Sequence, residues 1–105
     1  MPVSAPTLHI LRHSPTGSSS LANCMRVLAN KQSVLLIEDA VYALLPGSAS
    51  LGSIKLLPGD VRLHVLEADL LARGLALDDL PARVQSIDYK GIVQLCEQSG
   101  KVVSW

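Results

Sequence analysis

Ser33-Val34-Leu35-Leu36-Ile37 constrains this chain more than any other stretch. Four apolar residues follow one another with no polar alternation, and polar residues bound the run. A strand with one wet face alternates; a strand that does not alternate is buried on both faces, as in a parallel sheet. Parallel neighbours need crossover connections, which are usually helices. The rest of the sequence supplies them. Thr7–Leu11 reads as a first strand, closed by turn chemistry at Arg12–Ser18. Leu21, Cys24, Met25 and Leu28 recur at helical spacing, with a serine among Ser18–Ser20 available as cap. Ala40–Leu45 reads as a second helical stretch stopped by Pro46-Gly47, and Ser48–Leu57 as a further short helix. Val61–Leu66 reads as a third strand, Glu67–Arg73 as a short helix ended by Gly74, and 75–83 as a loop. Val84–Ile87 reads as a fourth strand. Asp88 caps a helix over Tyr89–Gln98 with Ile92, Leu95 and Cys96 on its inner face. Lys101–Ser104 reads as a last edge strand.

This order predicts a single small α/β domain of about five mostly parallel strands, with helices on both faces in Rossmann- or flavodoxin-like layering. Residues 1–6, with two prolines, read as a flexible arm, and 7–105 as the domain. The chain has 105 residues, too few for two cores. Apolar residues make up 49% and charged residues only 17%. So small a domain cannot bury all of that, and a partner subunit is expected to cover part of it.

Composition also excludes functions. Nine basic and nine acidic residues cancel, and Tyr42, Tyr89 and Trp105 are the only aromatics. Neither a phosphate-tracking surface nor a base-stacking platform is expected, so no direct nucleic-acid partner. No apolar run approaches a membrane span, and no signal-type segment opens the chain. Cys24 and Cys96 form no disulfide framework and no zinc spacing. A reducing, cytoplasmic setting with free thiols is expected, with no metal and no cofactor: G-x-G-x-x-G and Walker loops are both missing.

In open parallel sheets, sites form beyond the carboxyl ends of the strands. Arg12, His13 and Ser14 fall there after strand one, Glu38 and Asp39 after strand two, Glu67 and Asp69 after strand three, and Asp88 after strand four. Asp39, Asp69 and Asp88 read first as helix N-caps. His9 and His64 lie inside strands and read as structural, whereas His13 is the exposed histidine. Cys24 has two readings. It belongs to an apolar stripe and fits a core, yet the basic pair Arg12 and His13 in the preceding loop would favour a thiolate. Cys96 reads as core.

Four segments, in order, resemble the TusB/DsrH family of DsrE/DsrF/DsrH-like sulfur-relay subunits. Leu8-His9-Ile10-Leu11-Arg12-His13-Ser14-Pro15 resembles the family's L-H-x-x-x-x-S-P opening. Asp39-Ala40-Val41-Tyr42-Ala43, after the apolar strand, resembles D-G-x-Y-A, with Ala40 in place of glycine. Asp69-Leu70-Leu71-Ala72-Arg73-Gly74 resembles D-L-x-A-R-G. Asp88-Tyr89-Lys90-Gly91-Ile92-Val93-Gln94-Leu95 resembles D-Y-x-G-F-V-x-L, and the terminal Trp105 also fits. Cys24 matches the cysteine of DsrH-type members.

The resemblance implies a subunit of a dimer of heterotrimers with TusC-like and TusD-like partners. Such a complex passes persulfide sulfur between upstream and downstream carrier proteins, for 2-thiolation of tRNA wobble uridine or, in the Dsr branch, for sulfur oxidation. It also implies that the main carrier cysteine lies on the TusD-like partner. Cys24 is then a candidate secondary persulfide carrier supported by Arg12 and His13, or the chain is a pure assembly subunit. Expressed alone, it is expected to form homo-oligomers or to aggregate.

Overall fold

The computed structural model describes residues 6–105. The expected arm at 1–6 thus lies outside the described residues except for Pro6, whose carbonyl accepts a hydrogen bond from the Gly100 N–H. Five parallel strands form one sheet: β1 (Thr7–Leu11), β2 (Ser33–Leu36), β3 (Arg62–Leu66), β4 (Val84–Ile87) and β5 (Lys101–Ser104). Their order is β4-β3-β2-β1-β5. The run that sets the fold occupies the centre: every residue of β2 is buried, as a strand covered on both faces must be.

Four helices connect the strands: α1 (Ser20–Val27), α2 (Ala49–Lys55), α3 (Glu67–Ala72) and α4 (Tyr89–Gln98). Two 3₁₀ segments, Glu38–Leu44 and Leu77–Asp79, complete the elements of the described residues, the second inside the stretch expected to be a plain loop. The connections β1 to β2, β2 to β3 and β3 to β4 all step one way across the sheet. The last, from β4 to β5, steps back. Right-handed crossovers therefore place α4 alone on the opposite face.

The two faces differ sharply in cover. Leu11, Val34, Leu36, Leu63, Val65 and Val84 point to one face, where Leu21 and Cys24 of α1, Val41 and Leu44, Leu51 and Ile54 of α2, and Leu70 of α3 close the main core. The other face carries Leu8, Ile10, Leu35, His64, Leu66 and Ile87 and, among the described residues, has only α4 above it. No residue of α4 is fully buried. Cys96 is half-buried, not the core residue the helical spacing predicted, because one ten-residue helix covers only part of a five-stranded sheet.

Local chemistry accounts for the element ends. Asp88 caps α4, its carboxylate accepting from the Gly91 N–H at 2.8 Å. Gly91 is required there: a Cβ would lie 2.9 Å from the Cβ of Ile87, so its absence seats α4 against β4. Ser48 caps α2 through the Leu51 N–H. The expected serine cap of α1 comes from Ser18, whose hydroxyl accepts from the Ser20 N–H at 3.1 Å. Ser19 holds the N-cap position itself with no side-chain cap bond, and its hydroxyl accepts from Asn23 Nδ2. Arg83 gathers the carbonyls of Ile54, Lys55, Leu57, Pro58 and Val61, tying the end of α2 and the following turn to the approach to β4.

Candidate functional site

The carboxyl-end rim is built of internal ties. After β1, Arg12 turns to the opposite edge, and its guanidinium donates to Ser104 Oγ of β5 at 3.0 Å. After β2 the backbone enters the left-handed region at Glu38, φ 51°. That strained residue is held by its own N–H, which donates to Asp69 Oδ2 of α3 at 2.7 Å. Arg73 then donates through Nε to Asp39 Oδ1 at 3.0 Å and through a terminal nitrogen to the Asp69 carbonyl at 3.3 Å. The hydrogen bond to Asp39 raises the Arg73 pKa further, so the guanidinium stays charged.

Asp39 and Asp69 are therefore not the helix caps the sequence suggested. Each lies inside a first turn and spans between elements, and only Asp88 caps. Ala40, where the resembled pattern has glycine, is buried and takes no left-handed backbone; that conformation belongs to Glu38.

The candidate sulfur site is arranged differently from its neighbours in sequence. Cys24 is fully buried on the inner side of α1, in the wall of an apolar void of about 10 Å³ shared with Leu21, Met25, Leu28 and Ile54. Burial pushes its thiol up to about 12. That disfavours, at neutral pH, the thiolate that sulfur transfer needs. Arg12 and His13 are both exposed, and neither bonds to Cys24. The fold separates the three residues: the stripe that places Cys24 on a helix also turns it into the core.

Two arrangements were not legible in the sequence. Trp105 Nε1–H donates to His9 Nδ1 at 3.1 Å, and His9 Nε2 faces Gln32 Oε1 at 2.8 Å. An indole only donates, so Nδ1 accepts and the His9 proton sits on Nε2. The partners are 96 positions apart, so no local pattern announced them. The other is His64. Its ring is buried and neither nitrogen has a partner. Burial, and then the charge of Arg62, lowers its pKa.

Among the described residues, no group of three His, Cys, Asp or Glu side chains is placed to hold a metal. No helix there is long and apolar enough to cross a membrane.

A five-stranded parallel sheet with three helices on one face and one on the other among the described residues, its strand-end rim tied by Arg73, Asp39 and Asp69, defines a small doubly covered parallel α/β protein. Residues 13–102 match the model of the family described as DsrH like protein. The chain belongs to that family. It is 38% identical over 98 residues to Protein TusB of Erwinia tasmaniensis, covering 93% of this chain and 99% of that one. It is 32% identical over the same length to Protein TusB of Escherichia coli O81, with the same coverage.

Among solved structures, the ychN protein of E. coli superposes with a TM-score of 0.82 at 20% identity, over 95% of this chain and 98% of that one. A protein of unknown function from Methanobacterium thermoautotrophicum superposes with a TM-score of 0.71 at 22% identity, over 98% and 100%. These two likenesses show the shared fold.

Proposed function

We propose that this chain is an accessory subunit of a TusBCD/DsrEFH-like sulfurtransferase complex in a cytoplasmic persulfide relay. The complex would be a dimer of heterotrimers with TusC-like and TusD-like subunits. Its sulfur is destined for the 2-thio group of tRNA wobble uridine; relatives named TusB favour that branch over sulfur oxidation. Family membership supports the relay, and the seating of Cys24 supports the accessory role. A sulfur carrier must be reached by a donor persulfide and must be partly ionised. Cys24 in this fold is neither. The carrier cysteine is then the partner's.

The half-covered face of the sheet supports assembly. Tyr89, Val93 and Val102 are exposed apolar side chains on α4 and β5, the two elements at that side of the molecule. In a small domain such surface marks contact with another chain. A second reading has one observation in its favour. The void beside Cys24 has room for about one added atom, so a persulfide there would fit if α1 opened to load it, with Arg12 and His13 then stabilising the thiolate.

Co-expression with the two related subunits, followed by native mass spectrometry, tests the assembly. A complex containing two copies of each chain is expected. A chain that stays monomeric and unassociated beside both subunits contradicts the proposal.

A further inference from the structure

His9, at the centre of β1, is 5% exposed, and both of its ring nitrogens are committed. Nδ1 accepts from Trp105 Nε1–H at 3.1 Å, and Nε2 lies 2.8 Å from Gln32 Oε1. That oxygen also accepts from the Ala29 N–H, which fixes the side-chain amide with its oxygen towards the ring. The chain from Trp105 through His9 to Gln32 therefore runs one way, from indole donor to amide acceptor. Both ends demand the neutral ring with its proton on Nε2. The indole itself packs, partly buried, against the main core, its ring centre 6.1 Å from that of His9.

A proton added at Nδ1 turns this acceptor into a donor and sets it against the indole N–H. An indole has no acceptor to offer in exchange, so the contact at 3.1 Å cannot survive. We propose that His9 and Trp105 form a pH-sensitive latch on the end of β5: neutral His9 holds the indole, and protonation of His9 at Nδ1 releases it. No acidic side chain on the neighbouring elements β2, β5 and α1 offers the added charge a partner. Val34 of β2 and Val103 of β5 stand opposite His9. The charged side chains nearby are Lys101 on β5, Arg26 on α1 and Lys31 in the turn before β2, all cationic and exposed. The release is confined to the strand end, since β5 keeps its ladder to β1 from Thr7 to Ile10 and Arg12 keeps its bond to Ser104. The latch does not depend on the relay reading.

Trp105 is the only tryptophan of the chain, so its fluorescence follows the latch directly. The test is a titration of the full chain from about pH 8 to about pH 5, the window in which histidine changes charge. Acidification should shift the Trp105 emission to the red and raise its quenching by acrylamide several-fold, with the far-UV circular dichroism unchanged. His9→Gln should abolish that step, and His64→Leu, which removes the other buried histidine, should keep it. Imidazole nitrogen NMR shifts of the parent chain need no variant. They should show the Nε2–H form of His9 at neutral pH, giving way to the doubly protonated ring as the emission moves. An emission that stays constant over the window would overturn the proposal, as would a red shift that persists in His9→Gln, vanishes in His64→Leu or coincides with lost dichroism. So would an Nδ1–H form of His9 at neutral pH.

Discussion

At the scale of single residues, burial decides what each titratable group can do. His64 is held neutral in a place that offers it no partner. Its folded-state pKa lies below the ordinary value of 6.5, so the unfolded chain binds more protons in that window. Stability contributed by the neutral form is complete above pH 6.5 and is lost as pH falls towards the lowered folded value. We expect urea midpoints to fall as pH drops below 6.5, and His64→Leu to remove most of that slope while matching or exceeding the parent at neutral pH. A parent chain and variant with parallel pH profiles would contradict this.

The two thiols should separate just as clearly. Cys96, half-buried on α4, should react with iodoacetamide in the native chain, while Cys24 waits for unfolding. Cys24→Ala should cost about 1 kcal/mol, as loss of a small buried group. Cys24→Ser should cost more, about 1–3 kcal/mol, since its hydroxyl would sit among apolar neighbours without a partner. Peptide mapping after partial labelling checks the first expectation and chemical denaturation the second.

At the scale of elements, the ties between segments hold the rim. The Asp69 carboxylate keeps the 3₁₀ segment against α3 by satisfying the N–H of a residue in left-handed backbone. Asp69→Ala should cost about 1–2 kcal/mol, because it removes a charge-assisted bond and leaves Glu38 strained. Glu38→Gly in the same background should recover part of that, about 0.5–1 kcal/mol, since glycine takes the conformation freely. If Glu38→Gly destabilises both backgrounds alike, the strain argument fails.

These elements also show how far a sequence can be read. The non-alternating run at β2 announced a parallel sheet because no half-wet strand can carry that pattern. Asp88 was legible as a cap because its partner lies three residues on. Asp39 and Asp69 were misread because the same side chain serves a cap or a distant arginine equally well, and Arg73 lies 34 positions from Asp39. Helical spacing gave the inner side of α4 correctly. It gave no measure of how much sheet that helix would cover, and so Cys96 was placed too deep. For Cys24, the stripe and the basic loop pointed opposite ways, and only the packing of α1 shows the thiol shut away from Arg12 and His13.

At the scale of the whole molecule, the uneven cover of the sheet and the burial of Cys24 are the two features behind the proposal of an accessory subunit that leaves the sulfur to a partner. The most direct test is to load the reconstituted complex with a persulfide donor and locate the added sulfur by peptide mass spectrometry, in the parent and in Cys24→Ala. The account predicts a mass gain of one sulfur on the partner's cysteine, none on Cys24, and relay activity in Cys24→Ala within about twofold of the parent, a difference under about 0.5 kcal/mol. Persulfide on Cys24, with relay activity abolished in Cys24→Ala while the complex stays intact, would contradict it.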